Sequence, residues 1–214
     1  MIVENDGLFP IDSTQDPFPN LVGRPIVPLD NRGISVTFSY VELGTPGKAA
    51  VHQALDLNII PMGNSIYGYG FETTDRGFLL AYRVFGKSKS DSTGIYIVGK
   101  FNGSNATLDS TATLWLPQYP TKGASWLLRE GRKMEVVSTD TAVWTSIVFA
   151  NDSDSTAVIR NGLQRQPAVL FQETAGDTLT HYYFRPGVGC VAFRRAIGGH
   201  LAASGILKSF SYGL

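Results

Sequence analysis

Residues 34–43 read Ile34-Ser-Val-Thr-Phe-Ser-Tyr-Val-Glu-Leu43. Apolar side chains alternate with small polar ones along the whole stretch, the period-two pattern of a strand with one face buried and one wet. The pattern recurs downstream. It predicts strands at about Ser65–Thr73, Gly77–Phe85, Thr93–Phe101 and Ala106–Leu116, then Lys133–Thr139, Ala142–Ala150, Thr156–Asn161, Pro167–Glu173, Thr178–Arg185 and Val188–Arg195. Between them lie turn-forming segments such as Thr74-Asp-Arg-Gly77, Asn102-Gly103 and Ala175-Gly-Asp177. Such gaps are too short for crossover helices, so strands adjacent in sequence pair antiparallel. Two segments are ambiguous. Gly47–Leu57 carries good helix formers but also alternates, and leans to strand; Leu201–Tyr212 fits a last strand or a short helix. The expected fold class is all-β, a curved antiparallel meander forming a half-barrel or open sandwich.

Composition agrees with this reading. Among 214 residues there are 23 Gly, 11 Pro, 12 Phe and 9 Tyr, a mixture that favours strands and turns. A chain of this length buries a sizeable core without disulfides or metal. Lys plus Arg equals Asp plus Glu at 18 each, so no global field gathers phosphates, and nucleic acid is not an expected partner. Charge is nevertheless uneven. From His181 to Leu214 the chain holds Arg185, Arg194, Arg195 and Lys208 and no acid, a mildly basic end that suits an anionic polymer or a protein partner.

Residues 1–33 read as a proline-rich tether or edge segment, because Pro10, Pro17, Pro19, Pro25 and Pro28 each remove a backbone donor. Residues 34–214 then form a single antiparallel β domain. Pro28-Leu-Asp-Asn-Arg-Gly33-Ile-Ser35 echoes Pro120-Thr-Lys-Gly123-Ala-Ser125, which leaves room for two duplicated halves meeting near 117–123. The acidic start, with Glu4, Asp6, Asp12 and Asp16, has no apolar run typical of a signal peptide. Two origins fit it: a cytosolic start, or a mature chain trimmed behind a signal peptide with Met1 supplied for expression. No apolar stretch is long enough for a transmembrane segment; the richest, Phe78–Tyr82, ends at Arg83.

Two pieces of sequence act as corners. Trp115-Leu-Pro-Gln-Tyr-Pro-Thr-Lys-Gly-Ala-Ser-Trp126 joins a strand end, a proline-held stretch and a glycine turn, and Trp126 is large enough to plug the core beside it. His181-Tyr-Tyr-Phe-Arg-Pro-Gly-Val-Gly-Cys-Val-Ala-Phe193 is a hairpin turning at Arg185-Pro-Gly-Val188. In order and spacing these resemble a loose group of bacterial cell-envelope β-domains, periplasmic or lipoprotein. That group opens with a Pro-x-x-Gly-x-x-Trp element and closes with Tyr-Tyr followed by Gly-Val-Gly-x-Val. Pro120, Gly123 and Trp126 match the opening; Tyr182, Tyr183, Gly187, Val188, Gly189 and Val191 match the close. Leu8-Phe-Pro10 is similar to the start that often follows the lipidated cysteine in such proteins, a cysteine this chain lacks there. The resemblance covers about residues 114–195. It implies a strongly curved open sheet, a cell-envelope or periplasmic location with the cytoplasm left open, and no assigned activity.

The sequence offers little catalytic chemistry. Three histidines, His52, His181 and His200, show no ligand spacing, so no metal site is expected. Cys190 is the only cysteine and sits at a buried strand position; His181 or His200 would have to serve as its base for it to act as a nucleophile. Gly123-Ala-Ser125-Trp126 lacks the second glycine of a nucleophile elbow, and Gly68-Tyr-Gly70 lacks the third glycine of a phosphate loop. Asn151-Asp-Ser-Asp-Ser-Thr156 spaces oxygens like part of a calcium loop, without the turn glycine and distal Glu. Asp56, Glu72, Asp75 and Glu130 are the acids that a glycan hydrolase would bring to one cleft.

The most ligand-like stretch is Ile66-Tyr-Gly-Tyr-Gly-Phe-Glu72. Tyr67, Tyr69 and Phe71 fall on one face with glycines opposite, and these rings either bind a sugar, lipid or peptide or pack into the core. With Trp115 and Trp126 they make the candidate ligand-binding set; no catalytic residue and no cofactor is expected. The favoured function is a non-catalytic cell-envelope domain binding an apolar or carbohydrate ligand, a lipid or glycan, or docking an envelope protein. The alternatives are a carboxylate-dependent glycan hydrolase and a structural subunit assembling through sheet edges, with oligomeric state open.

Overall fold

The computed structural model describes residues 11–12, 26–27, 29, 33–43, 49–71, 76–83, 94–102, 105–149 and 157–212. They form β1 (Ile11–Asp12), β2 (Ile34–Glu42), β3 (Val51–Gly63), β4 (Ile66–Phe71), β5 (Arg76–Arg83), β6 (Gly94–Asn102) and β7 (Asn105–Pro117). A second series follows: β8 (Ser125–Leu127), β9 (Lys133–Phe149), β10 (Ala157–Ala175), β11 (Thr178–Arg185), β12 (Gly189–Ile197) and β13 (His200–Tyr212). Among the described residues no helix is long and apolar enough to cross a membrane.

All pairings are antiparallel, and the strands join one sheet in the order β1-β9-β10-β11-β12-β13-β2-β3-β4-β5-β6-β7, with β8 added against β9. The fold class is therefore the all-β antiparallel sheet that alternation implied. Leu201–Tyr212 resolves to strand, because β13 pairs with both β12 and β2 and so joins the two meanders. Of the segment Gly47–Leu57, Val51–Leu57 is strand, the first part of β3, while Gly47 and Lys48 lie outside the described residues.

Three boundaries differ from expectation. Lys133–Thr139 and Ala142–Ala150 belong to one strand, β9, which passes through Asp140 and Thr141 with a register shift and not a turn, Thr141 facing Ala168. Thr156–Asn161 and Pro167–Glu173 likewise merge into β10, the irregularity between Ile159 and Gln164 being absorbed as a register shift rather than a loop. Ser65 belongs to a turn and not to β4, since Asn64 and Ser65 take φ of 51° and 57° to close the β3–β4 hairpin.

The sheet is rolled. In sheet order β7 lies eight places from β11, roughly 38 Å along a flat sheet at 4.8 Å per strand. Yet the rings of Trp115 on β7 and Phe184 on β11 meet edge to face with centroids 6.0 Å apart. Phe184 also meets Phe171 at 5.6 Å, and Tyr69 on β4 meets Trp115 at 4.8 Å. Burying apolar area drives the roll, because one face of nearly every strand is apolar and a rolled sheet supplies its own second layer.

Closure stops short of a barrel: among the described residues no ladder joins β7 to β1 or β9. A side chain spans the gap instead. Arg129, in the 3-10 turn Arg129–Gly131 between β8 and β9, donates to the Ile97 carbonyl at 3.1 Å and to Thr113 Oγ1 at 3.4 Å, and pairs with Asp109. Part of the early chain packs as well, Ile26 and Val27 being fully buried in the core and β1 pairing with β9 at Ile11↔Val143.

The two corners have ordinary causes. Gly123 takes φ of 84° and donates to the Val136 carbonyl at 2.8 Å, while the Val136 amide returns a 2.9 Å bond to Ala124. Gly189 takes φ of 109° between β11 and β12, a backbone conformation open to glycine and strained for any other residue.

Candidate functional site

Inside the roll lies a cavity of about 390 Å³, within the range of small-molecule sites. Its walls come from seven strands of the rolled sheet, β2, β3, β4, β7, β9, β11 and β12. β2 supplies Phe38 and Tyr40, and β3 supplies Gln53, Leu55 and Leu57. These are same-face positions of two alternating strands, paired directly across as Phe38↔Leu55 and Tyr40↔Gln53. β11 adds Tyr182 and Phe184, and β9 adds Met134.

Two β-bulges shape the wall. On β12, Ala192 pairs with Tyr183 and Cys190 with Phe184, so Val191 is an extra residue and the strand changes phase there. Cys190 and Phe193, three apart, consequently face the same cavity together with Arg195. On β7, Leu116 pairs with Ile95 and Leu114 with Tyr96, which leaves Trp115 as the extra residue. The bulge turns Trp115 inward beside the fully buried Leu116, where strict alternation would have sent one of them out.

The candidate ligand residues thus separate. Tyr69 and Trp115 line the cavity and touch each other. Tyr67 is buried in the core, its hydroxyl donating to the Leu29 carbonyl at 3.3 Å. Trp126, on β8, stacks edge to face on Phe171 at 6.4 Å, packed against the core rather than lining the cavity, with its indole nitrogen buried and unpartnered. The side chain of Phe71 lies outside the described residues. Nothing local in the sequence marks most of the wall. Phe38, Tyr40, Leu55 and Leu57 stood in alternating strands with nothing to distinguish a cavity wall from a sealed core.

The electrostatics of the site follow from burial. Tyr69 has its phenol pushed well above the usual range by desolvation, and Tyr182 is raised by desolvation and by Glu173, to which its hydroxyl donates at 3.2 Å. Glu173 is also held by Arg132 at 2.9 Å. Burial pushes the Cys190 thiol up to about 12, and Sγ donates to the Ala192 carbonyl at 3.3 Å, so at neutral pH the sulfur is a protonated, apolar part of the wall.

The other chemical candidates do not converge on this cavity. His181 alternates with Tyr182 and so faces the opposite side of β11, within 3.0 Å of Gln172. Asp56 alternates with the lining residues Leu55 and Leu57 and likewise faces away, and Glu130 is exposed on its 3-10 turn. Glu72, Asp75, Leu8–Pro10 and the Asn151–Thr156 segment lie outside the described residues. Among the described residues no three His, Cys, Asp or Glu side chains gather.

His181 gives a pH-dependent prediction. Desolvation, helped by Arg194 opposite, lowers its pKa from 6.5 to about 4. Between those values the unfolded chain binds the proton and the folded one does not, so stability rises with pH across the window. Folding should be independent of this group above pH 6.5 and lose on the order of 2–3 kcal/mol on acidification towards pH 4. Urea unfolding of wild type and His181→Gln at both pH values checks it: an equal acid loss in both proteins would assign the effect elsewhere.

No family model matches the chain, and no curated protein matches it. It is similar to one solved structure from Bacteroides fragilis, described as a "putative exported protein with YmcC-like fold". That match has a TM-score of 0.33 and 9% identity, covering 88% of this chain and 99% of the other.

Proposed function

We propose that the chain is a non-catalytic binding protein of the bacterial cell envelope that holds an apolar ligand inside its rolled sheet. The observation that carries the reading is the cavity of about 390 Å³ walled by Phe38, Leu57, Tyr69, Trp115, Phe184 and Phe193. Closely packed interiors leave few voids larger than a water molecule, so an apolar space of this size is a place for something else. The aromatic walls offer edges and faces to a chain or flat ring without asking it for hydrogen bonds. The envelope setting rests on the motifs of residues 114–195.

A thermal-shift screen of fatty acids, long-chain alcohols and neutral oligosaccharides tests the proposal. A ligand present at about 100 times its Kd adds ~2.7 kcal/mol to folding, about 5–10 °C in Tm for a chain of this size. Long-chain compounds should give that shift, and Tyr69→Ala should bind them about tenfold more weakly, having lost one apolar wall. Shifts with oligosaccharides alone would move the ligand to the carbohydrate class. No shift with any of them, or unchanged affinity in a folded Tyr69→Ala protein, would overturn the cavity reading.

A further inference from the structure

The cavity has a direction. Along β3 the lining residues pass from exposed Gln53 through half-buried Leu55 to Leu57, 3% exposed. On β2 they pass from half-buried Tyr40 to Phe38 at 1%, and on β12 from exposed Arg195 to Phe193 at 5%. The ladder sets these gradients side by side. Phe193 pairs with Gly205, Gly205 with Tyr40 and Tyr40 with Gln53, so the three strands run into the cavity in step, and Arg195 stands one lining position further out than Phe193. The outer end therefore presents an amide, a phenol and a guanidinium, and the inner end is chiefly apolar, Leu57, Phe38 and the Trp115 ring with the buried phenol of Tyr69 among them.

Resting on the binding reading above, we infer that the ligand is a single-chain anionic amphiphile, its acidic head at Arg195, Gln53 and Tyr40 and its hydrocarbon tail directed inward to Leu57, Tyr69 and Trp115. Arg195 is suited to the head: among the described residues it forms no ion pair, whereas Arg132 is committed to Glu173 and Arg129 to Asp109. Its charge acts on both neighbouring phenols, opposing the rise that burial gives Tyr40 and Tyr182. Two carboxylates bracket it on the same ladder row. Glu173 pairs with Thr180, which pairs with Arg195, but Glu173 is neutralised by Arg132. Glu42 lies two strands away on the other side, across Ala203, and weakens the field at the mouth.

Calorimetric titration of the full chain with dodecanoate, dodecanol and dodecyltrimethylammonium, each below its micellar concentration and at low salt, tests the assignment. Dodecanoate should bind about fivefold more tightly than dodecanol, with the ammonium weakest, as a partly exposed charge pair allows. The preference should fall in high salt, vanish in Arg195→Gln and grow in Glu42→Gln. A twelve-carbon lysophosphatidylglycerol separates the sources: tighter binding than dodecanoate assigns a membrane-derived lipid, weaker binding a free acid. Equal binding of dodecanoate and dodecanol, or a preference that survives Arg195→Gln, would overturn the head-group assignment while leaving the cavity reading standing. Failure of every twelve-carbon compound would overturn both.

Discussion

Phe184→Ala is expected to destabilise the fold by about 3–5 kcal/mol, the cost of removing a buried aromatic ring. Phe184 is 2% exposed and sits where the β7 edge of the sheet comes back against β11. Its ring contacts Phe171 from the adjacent β10 at 5.6 Å, Tyr182 on its own strand at 6.3 Å, and Trp115 from the far end of the sheet at 6.0 Å. The last contact is the informative one. Phe171 and Tyr182 lie close to Phe184 however the sheet is shaped, but Trp115 comes near only when the sheet is rolled. Truncation therefore removes both packing and a tie between strands eight places apart. Urea unfolding measures the loss. Trp115→Ala, which removes the other half of the tie, should show a coupling of ~1 kcal/mol or more with Phe184→Ala in a double-mutant cycle. Additive effects would mean that the two rings do not touch in solution and that the roll is more open.

Gly205→Val, in β13, should cost about 1–3 kcal/mol through overpacking, the sign opposite to that of a strand glycine with room for a side chain. A strand glycine with ordinary φ gains about 0.4–1 kcal/mol on changing to Ala, because the unfolded chain has less freedom to lose. Here the space is taken. A Cβ on Gly205 would run into the ring of Phe193 directly across the ladder, with Cζ at 2.7 Å from it and Cε1 nearer still. Phe193 is held on two sides, packed edge to face on Phe38 at 5.6 Å and tilted against Tyr40 at 6.1 Å. The ring's free direction is the cavity, so Gly205→Ala and Gly205→Val should also weaken ligand binding. Combining either with Phe193→Leu should recover much of the stability. A stabilised Gly205→Ala protein would show that the Phe193 ring does not lie over the glycine.

Much of the architecture was legible because alternation is a local property. Ile34–Leu43 declares one wet and one dry face, and the turn residues between such runs leave no length for crossovers, so an antiparallel all-β sheet follows from the chain itself. Gly123 and Gly187 were legible as turn glycines for the same local reason, a φ that other residues avoid. The chemistry of Tyr67-Gly-Tyr69-Gly was legible only to the point of naming one face. Which of those rings faces a cavity and which the core depends on the strands that lie over them.

Those partners were set by tertiary structure. Whether β9 and β10 break in the middle or run on as long strands depends on mutual pairing, which resumes past Asp140 in β9 and from Gln164 in β10 after a register shift. The bulges at Val191 and Trp115 arise from mismatched registers between neighbours, and a single extra residue reverses every later side chain on the strand. Sequence alone determined that this protein is an antiparallel sheet with one apolar face, because side-chain alternation and turn chemistry act within a few residues. The roll, the cavity and its polar mouth at Arg195 were decided by contacts such as Trp115 with Phe184, between residues 69 positions apart in the chain, where no local pattern reaches.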